Sequence, residues 1–153
     1  YSLKMYTVKV ADNDAWNIAN GTNPKKPLTL RYRPNLQNKI GHPSYTKRLT
    51  IIWTYVSNNT SGMPDDKQSD ELGHFEDTLV NAIDSTELAI LAFVYTASSQ
   101  REWHFYVTDI NLVGEAINQA LTGQAVVPIE LTVEDDPEWT EFQQVLDNCT
   151  DPS

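Results

Sequence analysis

The residues best suited to chemistry sit in one run, Arg101-Glu-Trp-His-Phe-Tyr-Val-Thr-Asp109. Read as a strand, it puts Trp103, Phe105 and Val107 on one face and Glu102, His104 and Tyr106 on the other. A carboxylate, an imidazole and a phenol sharing a face are the groups that acid–base chemistry uses. Two residues apart on one strand, however, Glu102 and His104 lie side by side instead of converging on a substrate. The plainest meaning of such a face is a solvated scatter of side chains. Its functional meaning is a docking surface, extended by Thr50, Ile52 and Thr54 on one neighbouring strand and Glu130 and Thr132 on another.

Other chemistry is thinner. Glu71 and His74, at i and i+3, share a helix face as in carboxylate-bridged metal sites, but those sites need two such pairs and this chain has one. No metal or cofactor is therefore expected. Cys149 lies beyond the last expected helix, a poor place for a nucleophile. With six glycines the chain has no nucleophile elbow, phosphate-cradling loop or dinucleotide fingerprint. No catalytic residue is assigned, and an enzyme is the least favoured reading.

The elements that must hold these residues follow from hydrophobic period and turn chemistry. Tyr1 to Val10 and Leu28 to Arg33 read as strands, joined by a polar connection with Asn20-Gly21 and Pro24-Lys-Lys-Pro27. Leu49 to Val56 alternates as a strand. After the loop Ser57 to Asp66, Leu72, Phe75, Leu79 and Ile83 recur at helical spacing. Glu87 to Thr96 is a strand apolar on both faces, turning at Ser98-Ser99 into Arg101 to Thr108. Asp109 caps a helix with the stripe Val113, Ile117 and Leu121, and Gly123 ends it. Val127, Ile129, Leu131 and Val133 alternate in a last strand with an apolar inner face. Asp136-Pro137 reads as a cap with proline at the first helical position, ahead of Trp139, Phe142 and Val145.

From Leu49 the order is β-α-β-β-α-β. The expectation is an α+β, ferredoxin-like sandwich with an N-terminal two-strand extension and a C-terminal helix closing one end. It is divided as a single domain over 1–153: extension and loop 1–47, core 48–134, helix and tail 135–153. One face of its sheet is expected to stay open. The non-alternating strand Glu87 to Thr96 must then be covered, by the N-terminal strands or last helix or, less simply, by a second subunit in a homodimer.

Charge narrows the partners. The 153 residues carry 21 acidic and 11 basic side chains, a net charge of −10. Nucleic acid and anionic membrane are repelled by that field, whereas a basic protein patch or a cation is attracted. The basic residues Lys25, Lys26, Arg31, Arg33, Lys39, Lys47 and Arg48 gather in the N-terminal third, and the acids at Asp65-Asp66 and Glu134-Asp-Asp136 near helix starts. A lone cysteine and the absence of a long apolar run fit a reducing compartment, and a cytoplasmic location is expected.

The pieces Leu49-Thr-Ile-Ile-Trp-Thr-Tyr55, Gly62-Met-Pro64, Arg101 to Tyr106 and Asp136-Pro-Glu-Trp139, preceded by Trp16 and Pro27-Leu-Thr-Leu-Arg31, resemble a bacterial family, domain of unknown function 695. That family looks like a relative of the ribonuclease E inhibitor proteins, small acidic ferredoxin-like regulators. The resemblance implies a ferredoxin-like fold and a regulatory protein–protein role, and carries no catalytic residue onto this chain. The expected function is a non-catalytic protein-binding or regulatory module. The alternatives are a small-molecule binding domain using the open sheet face, and an enzyme with an unrecognised site.

Overall fold

A computed structural model of the chain describes residues 6–9, 16–22 and 26–149. Among them the strands are β1 (Tyr6–Lys9), β2 (Asn17–Thr22), β3 (Pro27–Tyr32), β4 (Lys47–Thr54), β5 (Ala89–Ala97), β6 (Gln100–Val107) and β7 (Ile129–Asp135). The helices are α1 (Asp66–Leu79), α2 (Ile110–Leu121) and α3 (Thr140–Asn148), with a 3-10 turn at Pro34–Lys39 and a π-type turn, Val80–Asp84, continuing α1. All seven strands join one antiparallel sheet in the order β1-β2-β3-β5-β6-β4-β7. The β-α-β-β-α-β order is present from β4 to β7. Each helical crossover joins two parallel strands with one strand between them: β6 separates β4 from β5, and β4 separates β6 from β7.

Among its described residues the N-terminal extension holds three strands rather than two. Asn17–Thr22, expected to lie in a polar connection, is β2, paired on one side to β1 and on the other to β3. Sheet hydrogen bonding, with Ala19 buried, holds a segment whose composition carries no strand period. β3 in turn pairs with β5, so β5 is an interior strand covered from within the chain. The outer residues of the first expected strand and Lys25 lie outside the described residues.

Both faces of the sheet carry a core, and this corrects the expectation of an open face. On one, Leu49, Ile51, Trp103 and Phe105 pack with Leu72, Phe75 and Leu79 of α1 and Val113 and Ile117 of α2. On the other, Leu30, Tyr32, Phe93 and Tyr106 pack with Trp139, Phe142 and Cys149 from α3 and its flanks. The last helix thus lies on the sheet instead of capping its end. A bulge between Leu91 and Phe93 lets β5 serve both cores: Leu91 and Val94 face α1 and α2, while Ala92 and Phe93 face α3.

Two local readings also change. Pro137 is not at the start of α3; the chain turns through Asp136–Glu138, Trp139 takes a left-handed conformation at φ 57°, and the helix begins at Thr140. Asp136 still caps it, accepting from the backbone N–H of Thr140 at 2.8 Å and Glu141 at 3.3 Å. β7 was expected to bury Leu131 and Val133, yet both are exposed, because β7 forms the sheet's edge.

Candidate functional site

β4 and β6 lie side by side with Arg48 opposite Tyr106, Thr50 opposite His104 and Ile52 opposite Glu102. This pairing assembles Glu102, His104 and Thr50 with Arg48, and Arg48 and Tyr106 reach Asp136 beyond β7; the sequence places Arg48 only in a basic cluster and Asp136 only in a helix cap. The His104 ring stacks on Phe93 at 4.1 Å between centroids, 14° from parallel. Its Nδ1 faces Arg48 Nη1 at 3.0 Å and Thr50 Oγ1 at 3.3 Å. A guanidinium only donates, so Nδ1 carries the lone pair, and the ring hydrogen sits on Nε2, which donates to Glu102 Oε1 at 3.0 Å.

Burial holds the imidazole pKa below its usual value of 6.5, and the Arg48 charge adds to that against the opposing pull of Glu102 and Glu141. His104 is therefore a neutral positioning group with both nitrogens engaged. Glu102 is its complement. Burial raises the carboxyl pKa, but hydrogen bonds from His104 and Gln100 and the Arg48 charge outweigh it, so the carboxylate stays ionised below the ordinary range.

Arg48 continues the network away from His104. Its Nη2 pairs with Glu134 at 3.0 Å, and its buried Nε lies 3.6 Å from Asp136, without a hydrogen-bond partner among the described residues. Asp136 accepts from the Tyr106 hydroxyl at 2.7 Å. Tyr106 stacks flat on Trp139 at 3.9 Å, and its oxygen also receives the Phe142 N–H at 3.3 Å. Burial first, then the Asp136 carboxylate, drives the phenol's pKa far upward, so it stays a neutral donor. Tyr106 is completely buried: it anchors α3 and presents nothing to solvent.

Between α3 and the sheet a groove of about 260 Å³ remains, with Leu28, Leu30, Phe93, Tyr95 and Val145 as apolar walls and Glu102, His104, Glu141, Gln144 and Asn148 as polar groups. Of the six residues expected to form a binding surface, Glu102 and His104 line this groove, and Thr50 supports it from below. Tyr106 stands behind it. Thr54 and Glu130 are exposed and do not line it. The missed residues had a signal in the sequence: Arg48 shares the parity of Thr50, and Asp136 and Trp139 stand in the Asp136-Pro-Glu-Trp139 piece, read there only as a helix start.

Elsewhere the sequence's candidates are placed as follows. Glu71 and His74 are exposed and line a second, apolar groove with Trp53, Phe75 and residues 124–128, and among the described residues no third His, Cys, Asp or Glu gathers with them. Burial pushes the Cys149 thiol up to about 11, the reverse of what a nucleophile needs. The basic cluster is largely neutralised by the fold: Arg31 pairs with Glu76, Arg33 with Asp84, and Lys47 with Asp135. No described helix is long and apolar enough to cross a membrane.

No curated protein matches the chain. The family of unknown function DUF695, however, matches residues 14–146, a span that takes in every residue of the groove except Asn148, and the chain belongs to that family.

Proposed function

We propose that this chain is a non-catalytic binding domain, and that the groove beneath α3 receives a lysine or arginine side chain of a protein partner. The observation that carries this reading is Glu102: an ionised carboxylate held from behind by His104 and Gln100, facing a groove with apolar walls and a second carboxylate, Glu141. A cation on an aliphatic stem matches that lining, its stem against the apolar walls and its charge at the carboxylates. At about 260 Å³ the groove falls just under the roughly 300–1,000 Å³ typical of drug-sized ligands, and is closer to the scale of one side chain. The net charge of −10 favours a basic partner and speeds its approach. Catalysis is disfavoured because His104 keeps neither nitrogen for a substrate.

The test is a titration of isotope-labelled protein with n-butylammonium and n-butylguanidinium, followed by amide shifts, with neutral 1-pentanol as the control. The cations should shift Gln100–His104 and Gln144–Asn148 at millimolar concentration, as a single anchoring side chain would. Glu102→Gln, which keeps an acceptor for His104, should abolish the shifts. Equal response to the neutral alcohol would sink the proposal. Saturation in the micromolar range would instead identify a free amine as the ligand, which is the small-molecule reading of the same site.

A further inference from the structure

We infer that β7 is a self-association edge: two copies of this chain join there, antiparallel, about a two-fold axis at Leu131, making one continuous sheet. β7 ends the sheet, and each of its residues after Ile129 is exposed. Edge strands are ordinarily guarded by lysine, proline or a covering element. Ile129–Asp135 contains no proline or basic residue, and α2 leaves Leu131 46% and Val133 42% exposed on the helix side. Among the described residues, the exposed large apolar side chains are Val56, Leu112, Val126, Leu131 and Val133. Two of these five, Leu131 and Val133, are on β7 and Val126 is on the approach to it, whereas Val56 follows the end of β4 and Leu112 is on α2.

The carboxylates Glu130, Glu134 and Asp135 could themselves guard the edge, so register decides. Opposite residues of an antiparallel pair share a face, which requires the axis to pass through a residue rather than between two. Centred on Thr132, the pairing sets Glu130 against Glu134 of the second copy; centred on Glu130, it sets that carboxylate against itself. Centred on Val133, it sets Leu131 against Asp135. Centred on Leu131, it sets Leu131 against itself, Ile129 against Val133 and Glu130 against Thr132, while Glu134 and Asp135 fall opposite Pro128 and Val127, which precede β7. Only this last register of the four pairs apolar with apolar on the helix side wherever both residues lie within β7 and leaves no carboxylate directly across from another. The remaining like charges are diagonal neighbours on the solvated face, so the dimer strengthens as salt screens them.

The experiment is sedimentation velocity on the full chain across a concentration series, at low and at high salt. A dimer population that rises with both is expected. Leu131→Lys should return the chain to monomer with the melting temperature that wild type shows at the dilute, monomeric end of the series, whereas Leu112→Lys, an equally exposed site away from the edge, should leave the dimer intact. Monomer throughout, or a dimer indifferent to Leu131→Lys, overturns the inference.

Discussion

The Tyr106 hydroxyl donates to Asp136 at 2.7 Å, and through that bond a strand of the sheet holds the start of the last helix. The same carboxylate lies beside the buried guanidinium of Arg48 and accepts two N–H groups of α3. Strand, helix and ion pair therefore share one acceptor. Tyr106→Phe keeps the stack on Trp139 but leaves Asp136 and the Phe142 N–H short of a partner. It should cost about 1–3 kcal/mol. Tyr106→Ala adds a cavity in a fully buried position and should cost about 3–5 kcal/mol. Urea denaturation of the two variants checks both values. Near-UV circular dichroism should lose the Tyr106–Trp139 signal in the alanine variant alone.

Stability should fall in two stages as the solution is acidified. The folded chain holds the His104 pKa below 6.5, so just under that pH the unfolded chain binds a proton that the folded chain refuses. The unfolded state then carries more protons, and stability declines as pH drops. Glu102 contributes the second stage in the same direction. Its carboxylate is favoured in the fold, so the stability it adds is present above its ordinary 4.5 and is lost as pH falls through its lower folded value. His104→Gln should flatten the first stage and, because His104 is the leading cause that lowers the Glu102 pKa, shrink the second. Denaturation midpoints across a pH series measure this, and a first stage unchanged in the variant would remove His104 from the account.

How much of this was legible beforehand follows from which signals are local. The two faces of Arg101–Thr108 could be assigned from alternation, because Trp103 and Phe105 outweigh Glu102 and His104. That the second face is also a core could not, because its cover comes from residues 139–149, and the docking direction of a helix is a tertiary fact. β5 gave the hint: a strand apolar on both faces has two cores to serve. The cap at Asp136 was legible as chemistry but not as geometry, since Trp139 at φ 57° inserts a turn before the helix. β2 left no period to read, and Leu131 and Val133 carry the period of a buried strand at a position where nothing buries them. Glu102 and His104 were placed together correctly, while Arg48, their main support, looked like one of several basic residues.

Trp103 tests the helix-side core. Its ring is fully buried, meets Phe75 edge-on at 5.2 Å, and donates from Nε1 to Glu76 at 2.9 Å. Trp103→Ala should cost about 3–5 kcal/mol from the cavity alone. Trp103→Phe keeps much of the volume but removes the donor. Because Glu76 is also paired to Arg31, its carboxylate stays satisfied, so the phenylalanine variant should lose clearly less than the alanine one. Equal losses in thermal melts would mean that the indole N–H, rather than packing, dominates at this position.

Gly62 tests how the loop after β4 is fixed. Its φ of +77° is a conformation that side-chain-bearing residues avoid, and an added Cβ would lie 3.0 Å from Ser98 Cα and 3.1 Å from Ser98 N. That close approach is used: the Gly62 carbonyl accepts from the Ser99 N–H at 2.8 Å and from the Tyr55 hydroxyl at 2.8 Å. The Ser98-Ser99 turn is itself left-handed at both residues and joins β5 to β6, the strand that carries Glu102 and His104. Gly62→Ala must shift backbone on one side or the other and should cost about 1–3 kcal/mol through strain and a weakened pair of bonds. Amide exchange should rise at Ser99, whose N–H then opens to solvent, while the amides of α3 keep their protection. Unchanged exchange at Ser99 would show that the loop yields without releasing the turn.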